Sequence, residues 1–373
     1  MKWIEWIKRN VPVTAMVLYA LAALSLCIHL LCLVWQGFAD FFATYIAGFI
    51  RMVLAKISGV YRFSLAEILI LSMPIIFICI IVTVIVWCKR DRADKLNRFF
   101  AMSFALVSLF YSTFVFTYGM GYRGYTLDQK LDLTKTEIDV AELTALTELM
   151  IEMTNEAAKE VEFHYGDASI MPYDLETVNE KLNDAYAVFA EDHDFIFNFR
   201  SRVKPMLLEK GMSYIHMLGM YTYYTGEANI NTDFPDYTVP YTVAHEMAHQ
   251  RGIAREDEAN FMAFLVCLSS EDAYIRYSAY LNMYEYVSGA LYRADKDAYS
   301  KCNRKLCQEV QYEMRSYNVF FDKYRESSAA NVSDALNDAF LKGNGQSAGT
   351  ASYGLVVDLA AAFYREQTKI MSN

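Results

Sequence analysis

The chain has 373 residues, of which 54% are apolar and 21% charged, and its formal net charge is −10. This length allows two or more folding units, and an apolar share this high is unusual for a soluble protein. The acidic balance argues against a nucleic-acid partner, because binding to phosphates requires clustered Lys and Arg.

The apolar residues are concentrated in the first third of the chain. Three stretches, at about 12–36, 65–88 and 98–118, each reach the ~20 residues that a membrane-spanning helix needs. The segment 37–62 between them mixes Phe and Tyr with three basic residues, so we interpret it as too polar to span. It is predicted to lie along the outer membrane interface as an amphipathic helix, with an ordinary extracytoplasmic loop as the equal alternative.

Charge distribution predicts the orientation. Residues 1–118 carry 11 Lys and Arg against 5 Asp and Glu, whereas residues 119–373 carry 23 against 39. Basic residues near the ends of membrane helices mark the cytoplasmic side, and they occur at the N-terminus and after the second span: Lys2, Lys8, Arg9, Lys89, Arg90, Arg92, Lys95 and Arg98. The sequence therefore predicts a multi-pass protein of the cytoplasmic membrane, with an extracytoplasmic domain at 119–373 and membrane lipid among its partners.

Residues 119–373 are predicted to be mostly helical. Apolar residues recur every three or four positions from Leu131 to Phe163, and a second helix is expected to begin at an N-cap, Asp174. The stretch 213–240 instead mixes β-branched and aromatic residues with Gly, Asn and Pro, which predicts a small hairpin or sheet. The predicted fold class is mainly α, and further helices are expected at about 204–216, 240–251, 255–292, 296–326, 332–342 and 352–367.

The chemistry-bearing motif is "AHEMAHQRGIAREDEANF", residues 244–261. In a helix His245 and His249 lie on one face and can direct both imidazoles at one zinc ion. Glu246 follows one position later, beside the metal, where it can act as general base toward a water that the metal activates. The alternative, a pair of solvent-facing helical histidines, is the weaker interpretation, because the His-Glu-x-x-His spacing seldom arises by chance.

A third protein ligand is expected just after the histidines. Gly252 can end the helix and reverse the chain, so that "EDEAN" passes back over the site. Glu256 is the predicted third ligand and Glu258 the fallback. Asn260, four residues after Glu256, is predicted to accept a hydrogen bond from an imidazole N–H.

Three blocks of sequence carry a family resemblance: "YTGEANINTDFP", the motif above with the following "MAF", and "ASYGLVVDLAAAFYRE". In these blocks the chain resembles an uncharacterised bacterial membrane family, domain of unknown function 3810. The resemblance implies a zincin-type metallopeptidase domain. Glu256-x-x-Ala259-Asn260 is similar to the second glutamate motif of gluzincins, although Asn260 replaces the usual Asp. A metzincin site is excluded, because its third histidine would fall at Arg255.

The sequence thus predicts a membrane-anchored zinc metallopeptidase, with Zn²⁺ as cofactor and a peptide or protein of the cell envelope as substrate. Tyr353 is the first candidate to stabilise an oxyanion and His216 a weaker one. Metallopeptidases commonly hold the substrate as an added strand, and "TGEANINTDF" could form the required sheet edge or a covering hairpin. The rival hypotheses are a non-catalytic, zinc-stabilised envelope scaffold and, more remotely, a transporter subunit.

Overall fold

The computed structural model describes residues 2–372, with side chains described for all of these except 2, 350, 352, 353 and 369–372. It is mainly helical, with a small sheet ahead of the helix that carries the His-Glu-x-x-His motif, which confirms the predicted fold class. The elements in chain order are α1 (Lys2–Asn10), α2 (Val13–Val34), α3 (Gln36–Phe41), a π-helical turn (Phe42–Ile46), α4 (Ala47–Ser58), α5 (Leu65–Lys89), α6 (Ala93–Thr117), a 3₁₀ turn (Gly119–Arg123), α7 (Leu127–Lys130), α8 (Val140–Ala158), α9 (Leu175–Glu191), β1 (Lys204–Pro205), α10 (Glu209–Tyr214), β2 (Gly219–Thr222), β3 (Glu227–Ile230), α11 (Thr238–Gln250), α12 (Glu256–Leu268), α13 (Ala273–Ala294), α14 (Lys296–Asn303), α15 (Gln308–Phe321), α16 (Ser328–Gly343), a second 3₁₀ turn (Gly349–Leu355) and α17 (Val356–Ser372).

Four helical segments in the described residues are long and apolar enough to cross a membrane. Three of them, α2, α5 and α6, correspond to the predicted spans. The fourth is Gln36–Ser58, formed by α3, the π-helical turn and α4 without a break. The expectation that this segment is too polar to span is therefore wrong on composition, because its charged residues are few and Arg62 falls outside the helix.

α2 and α6 run side by side in the same direction. Asn97 of α6 donates to Asn10 just before α2, and the Nδ1 of His29 lies 3.1 Å from the hydroxyl of Tyr111 near the other end. Both contacts join positions at matching heights along the two helices. The basic residues of the N-terminus and those between α5 and α6 consequently lie at one end of the bundle, and the domain from residue 119 onward lies at the other.

The segment Gln36–Ser58 packs against that domain at both of its ends. Asp40 forms an ion pair with Lys130 at 2.8 Å, and the carbonyl of Ser58 accepts a hydrogen bond from the buried ammonium of Lys204. Residues 118–124, which follow α6, lie beside it, and Gln36 donates to the carbonyl of Gly124. We call residues 36–58 and 118–124 together the collar, since they lie between the apolar helices and the domain.

The core of the domain is built on α11 and α12. Nearly every residue of these two helices is buried; α9 and α13 pack on both of them, α17 packs on α12, and α8 packs on α13. The sheet has the order β1-β3-β2, with β3 parallel to β1 and antiparallel to β2, and it packs on α11. The predicted small sheet is thus confirmed, as is the N-cap at Asp174, whose side chain accepts from the amide of Thr177. The stretch "TGEANINTDF", considered as a sheet edge, instead supplies the central strand β3, and β2 forms an edge. Residues 204–205, expected to begin a helix, form β1 instead.

Candidate metal centre

α11 holds the two histidines in register. Its backbone places His245 and His249 one turn apart on one face, with ring centroids 4.6 Å apart and ring planes nearly perpendicular. The helix is buried on almost all sides, and Tyr186 donates to the carbonyl of Ala244 at 2.7 Å. Because packing fixes the helix, the spacing of the imidazoles is set before any ligand binds.

The reversal after α11 has the predicted form. Gly252 adopts φ +103°, a left-handed conformation that favours glycine, and it lies just after the end of the helix. Its amide donates to the carbonyl of His249, and the amide of Ile253 donates to that of Ala248, which is the hydrogen-bond pattern of a Schellman motif. The turn directs the chain back so that α12 begins at Glu256, beside the two histidines.

Two imidazoles and one carboxylate converge at this point. The Nε2 atoms of His245 and His249 lie 3.2 and 3.4 Å from the same oxygen, Oε2 of Glu256. Tetrahedral zinc with bonds of 2.0–2.1 Å separates its ligand atoms by about 3.3 Å. The three potential ligand atoms all lie within 4.8 Å of one another. The residues present therefore fit a small divalent cation with three protein ligands.

The electrostatics of the cluster favour a bound cation. Burial lowers the pKa of His249, but the adjacent carboxylate of Glu256 outweighs burial and raises that pKa to about 9. Burial raises the pKa of Glu256, and the two imidazoles outweigh it and hold that pKa well below its usual range. A half-buried, ionised carboxylate between two imidazole nitrogens attracts positive charge, whether it is carried by a proton or by a metal ion.

Glu246 lies beside this cluster, but its carboxylate supplies none of the three potential ligand atoms. Its carboxylate is buried, accepts a hydrogen bond from the backbone amide of Tyr221 in β2, and faces Gly219 in the same strand. A Cβ added at Gly219 would lie 2.6 Å from Oε1 of Glu246, so only glycine leaves room for this side chain. Burial raises the pKa of Glu246, which makes its carboxylate a stronger base than an exposed one.

Tyr118, in the collar, contacts His249 at Nδ1, the ring nitrogen that is not directed at Glu256. Nδ1 of His249 donates to the carbonyl of Ile253 at 2.7 Å, and the hydroxyl oxygen of Tyr118 lies 3.1 Å from the same nitrogen. That hydroxyl donates in turn to the carbonyl of Ala254. These contacts leave Nε2 of His249 free to bind a metal and fix the plane of its ring.

A second collar tyrosine, Tyr122, lies near the carboxylate of Glu256. Its hydroxyl is buried, makes no hydrogen bond of standard geometry with a described residue, and lies close to the hydroxyl of Tyr118. Burial, and next the negative charge of Glu256, raise the pKa of Tyr122, so that the hydroxyl keeps its proton near neutral pH. A buried phenol that retains its proton beside the cluster is a candidate donor to a bound substrate.

Arg51 connects the collar to the end of α11. Its fully buried guanidinium donates to the carbonyls of Gln250 and Arg251, which the helix end leaves unpaired, and to the carbonyl of Thr117 at the end of α6. It also donates to Ala43, whose carbonyl lies in the π-helical turn. One side chain thus satisfies terminal carbonyls of both α6 and α11.

The remaining predicted residues lie elsewhere or do not make the expected contact. Glu258, the fallback ligand, is buried away from the histidines with Arg255 3.7 Å from its carboxylate, and burial raises its pKa to about 7. No described hydrogen bond joins Asn260 to an imidazole, and its Nδ2 is buried without a described partner. Nε2 of His216 donates a hydrogen bond to the carbonyl of Tyr324, and its ring contacts Phe321. The side chain of Tyr353 lies outside the described ones.

The sequence patterns did not point to four residues of the site: Arg51, Tyr118, Tyr122 and Gly219. The two tyrosines are separated from His249 by more than 100 positions and are two of 28 in the chain. Arg51 was assigned to an interfacial segment as an ordinary basic residue. The pattern "GMGYRG" after the last span is the one local signal, since closely spaced glycines allow close approach between backbones.

A family model described as "Protein of unknown function (DUF3810)" matches residues 42–361. The matched region contains the collar from Phe42 onward, the sheet, α11, α12 and the start of α17. No curated protein and no solved structure matches the chain. The assignment of a candidate metal site therefore rests on the motif and on the geometry of His245, His249 and Glu256.

Proposed function

The chain belongs to the DUF3810 family, and we propose that it is a membrane-anchored, zinc-dependent metallohydrolase that cleaves peptide bonds. The observation that carries this proposal is the position of Glu256 Oε2, 3.2 and 3.4 Å from the Nε2 atoms of His245 and His249. Two imidazoles and one carboxylate form a donor set that catalytic zinc sites use, and the fourth position stays free for water and substrate. Zinc bound there would supply Lewis acidity toward a carbonyl and activate a water molecule.

Glu246 is the proposed general base. It lies one residue beyond His245, and β2 holds its carboxylate through the amide of Tyr221. In this position it takes a proton from the attacking water and later delivers it to the leaving amine. Tyr122 is the proposed hydrogen-bond donor to the oxygen that becomes negative as the carbonyl is attacked, since its hydroxyl is buried near the carboxylate of Glu256 and keeps its proton.

The sheet supports a polypeptide substrate. In the order β1-β3-β2, the outer edge of β2 is paired with no other described strand, and β2 is the strand that contacts Glu246. An extended peptide added to this edge would place its backbone next to the base and the metal ligands. An edge strand beside the general base favours peptide bonds over esters of small alcohols, which need no extended backbone contact.

The proposed topology has three spans, α2, α5 and α6, and an in-plane segment Gln36–Ser58. Both ends of that segment bond to the same domain, through Asp40 with Lys130 and through Ser58 with Lys204, as expected for a helix lying on the membrane surface. The basic flanks share the opposite end of the bundle, which favours an extracytoplasmic domain. A periplasmic-type phosphatase reporter fused after Asn373 is expected to be active, and a fusion active only in the cytoplasm would contradict this orientation.

Hydrolysis is tested with the full chain in nanodiscs, because the collar contributes Tyr118 and Tyr122. The wild-type protein is incubated with a mixed peptide pool, and the products are identified by mass spectrometry. Glu246→Gln is expected to reduce cleavage by at least 10³-fold and to leave zinc content at one equivalent. The matched control is Glu152→Gln, which changes an exposed glutamate on α8.

Each outcome decides between the hypotheses. Cleavage by the wild type and the Glu152→Gln protein but not by the Glu246→Gln protein supports the hydrolase. Equal cleavage by the Glu246→Gln protein removes Glu246 from its assigned role. Stoichiometric zinc without any cleavage by the wild type favours the rival, a non-catalytic scaffold that zinc stabilises.

A further inference from the structure

One face of α16 is apolar and exposed. Val332, Leu336 and Phe340 recur every four residues and are 62%, 68% and 42% exposed. They form a stripe along the helix, and the charged residues of α16 lie on other faces: Asp334, Asp338 and Lys342. Ala330 and Leu341 provide the buried side that packs on the rest of the domain. An exposed apolar stripe of this kind marks a surface that contacts something other than water.

One end of the stripe meets the apolar surface of α6. Phe340, at its C-terminal end, contacts the ring of Phe114 in the last turn of α6, with centroids 6.2 Å apart. Phe340 also contacts Tyr122 of the collar at 6.5 Å. The stripe therefore begins at the height where a predicted membrane span ends, beside a proposed site residue.

A second element contacts the same part of α6. Tyr223 and Tyr224, at the tip of the β2–β3 hairpin, contact Phe114 and Phe110 of α6 at 5.3 and 5.8 Å. Phe110 lies seven residues before the end of α6, or about 10 Å along the helix axis. Tyrosines at such a position are typical of the interface between hydrocarbon and headgroups.

From these contacts we propose that the apolar face of α16 lies in the outer leaflet beside α6, so that the metal site faces the membrane surface. The occupant of the stripe is lipid, because the stripe continues a surface that is already exposed along α6, where Val107 is 66% exposed. The proposal rests on the proposed function in one respect: the substrate would be a polypeptide held at the bilayer surface, by a lipid anchor or by a neighbouring span.

The lipid contact is tested without any hydrolysis. Benzoylphenylalanine replaces Leu336 in the full chain, which is placed in nanodiscs of phosphatidylethanolamine and phosphatidylglycerol and irradiated. The expected result is a lipid adduct at position 336, at least ten times as abundant as at Val188, an exposed valine on α9. Adducts between two protein chains, or equal lipid adducts at both positions, would overturn the proposal.

The substrate class is tested by comparing one peptide pool in two forms, free and carrying an N-terminal palmitoyl chain in the same nanodiscs. We expect the tethered pool to be cleaved at least tenfold faster, and Leu336→Glu to reduce that ratio toward one while Val188→Glu leaves it unchanged. Equal cleavage of both forms by the wild type would overturn the substrate class and leave the peptidase intact. Cleavage of neither form would contradict the proposed function, while the crosslink still decides where α16 lies.

Discussion

The metal ligands and the collar reach the same site by different routes. His245, His249 and Glu256 come from one span of twelve residues, in which a helix, a glycine turn and a second helix fix their positions. The collar supplies Arg51, Tyr118 and Tyr122 from distant parts of the chain, and they contact the back of the ligands or the ends of the helices. The difference is that the candidate ligand set follows from local backbone geometry, whereas the contacts that support His249 and the end of α11 come from the collar.

The largest effect is expected when one of the three candidate zinc ligands is removed. His245→Ala is expected to abolish stoichiometric zinc binding, because two remaining ligands bind zinc too weakly to survive dialysis. Metal content of the full chain is measured by inductively coupled plasma mass spectrometry. His164→Ala, at an exposed histidine, is the control and should retain one equivalent. Full zinc content in the His245→Ala protein would remove the metal site from this place in the fold.

A substitution next to Glu246, the proposed general base, tests turnover separately from metal binding. Gly219→Ala would place a Cβ 2.6 Å from Oε1 of Glu246, so either β2 or the carboxylate must move. We expect kcat to fall by about 10²-fold with zinc content unchanged, since displacing a base by about 1 Å has effects of that size. Gly211→Ala, whose added Cβ would be 3.7 Å from its nearest neighbour, should have little effect. A parallel loss of zinc would mean that Gly219 acts on the ligands rather than on the base.

The collar is tested first at Arg51. Arg51→Met leaves buried carbonyls without donors and should lower the free energy of unfolding by about 2–4 kcal/mol. Thermal unfolding in detergent, followed by circular dichroism, measures the change, and Arg62→Met at an exposed arginine is the control. An unchanged transition would show that the guanidinium does not join the two helix ends.

The smallest effect is expected at Tyr118. Tyr118→Phe removes one hydroxyl from behind His249 and should weaken zinc binding about tenfold, as other changes to groups that orient metal-binding histidines do. Competition with a zinc chelator measures the affinity, and Tyr165→Phe at a fully exposed tyrosine is the control. Unchanged affinity would leave the carbonyl of Ile253 as the sole support of this imidazole.

The sequence was sufficient to predict those parts of the site whose geometry is set by residues close together in the chain. Helical spacing predicted that His245 and His249 share a face, and the need for a positive φ at Gly252 predicted the reversal that brings in Glu256. Asn260 shows the limit of the same reasoning, because its position on the helix face was inferred but its hydrogen bond to an imidazole is not among those described.

The collar could not be predicted because nothing in a linear pattern marks a long-range contact. Arg51 lies 199 positions from the first carbonyl that it binds on α11, and one arginine in an apolar segment looks the same whether it faces headgroups or a helix end. Tyr118 and Tyr122 directly follow a span, where tyrosines are common for reasons unrelated to catalysis. Their role depends on tertiary packing, which only the folded chain reveals.

The hydrogen bonds of Arg51 to Gln250 and Arg251 impose an order of events during synthesis. Arg51 is synthesised long before α11, the helix whose end it caps. Its guanidinium therefore lacks the carbonyls of Gln250 and Arg251 until that part of the chain has been made. The end of the metal-binding helix is therefore completed only after the late-made domain has returned to its own anchor. A chain truncated before α11 would leave a charged guanidinium without these two partners at the end of α6.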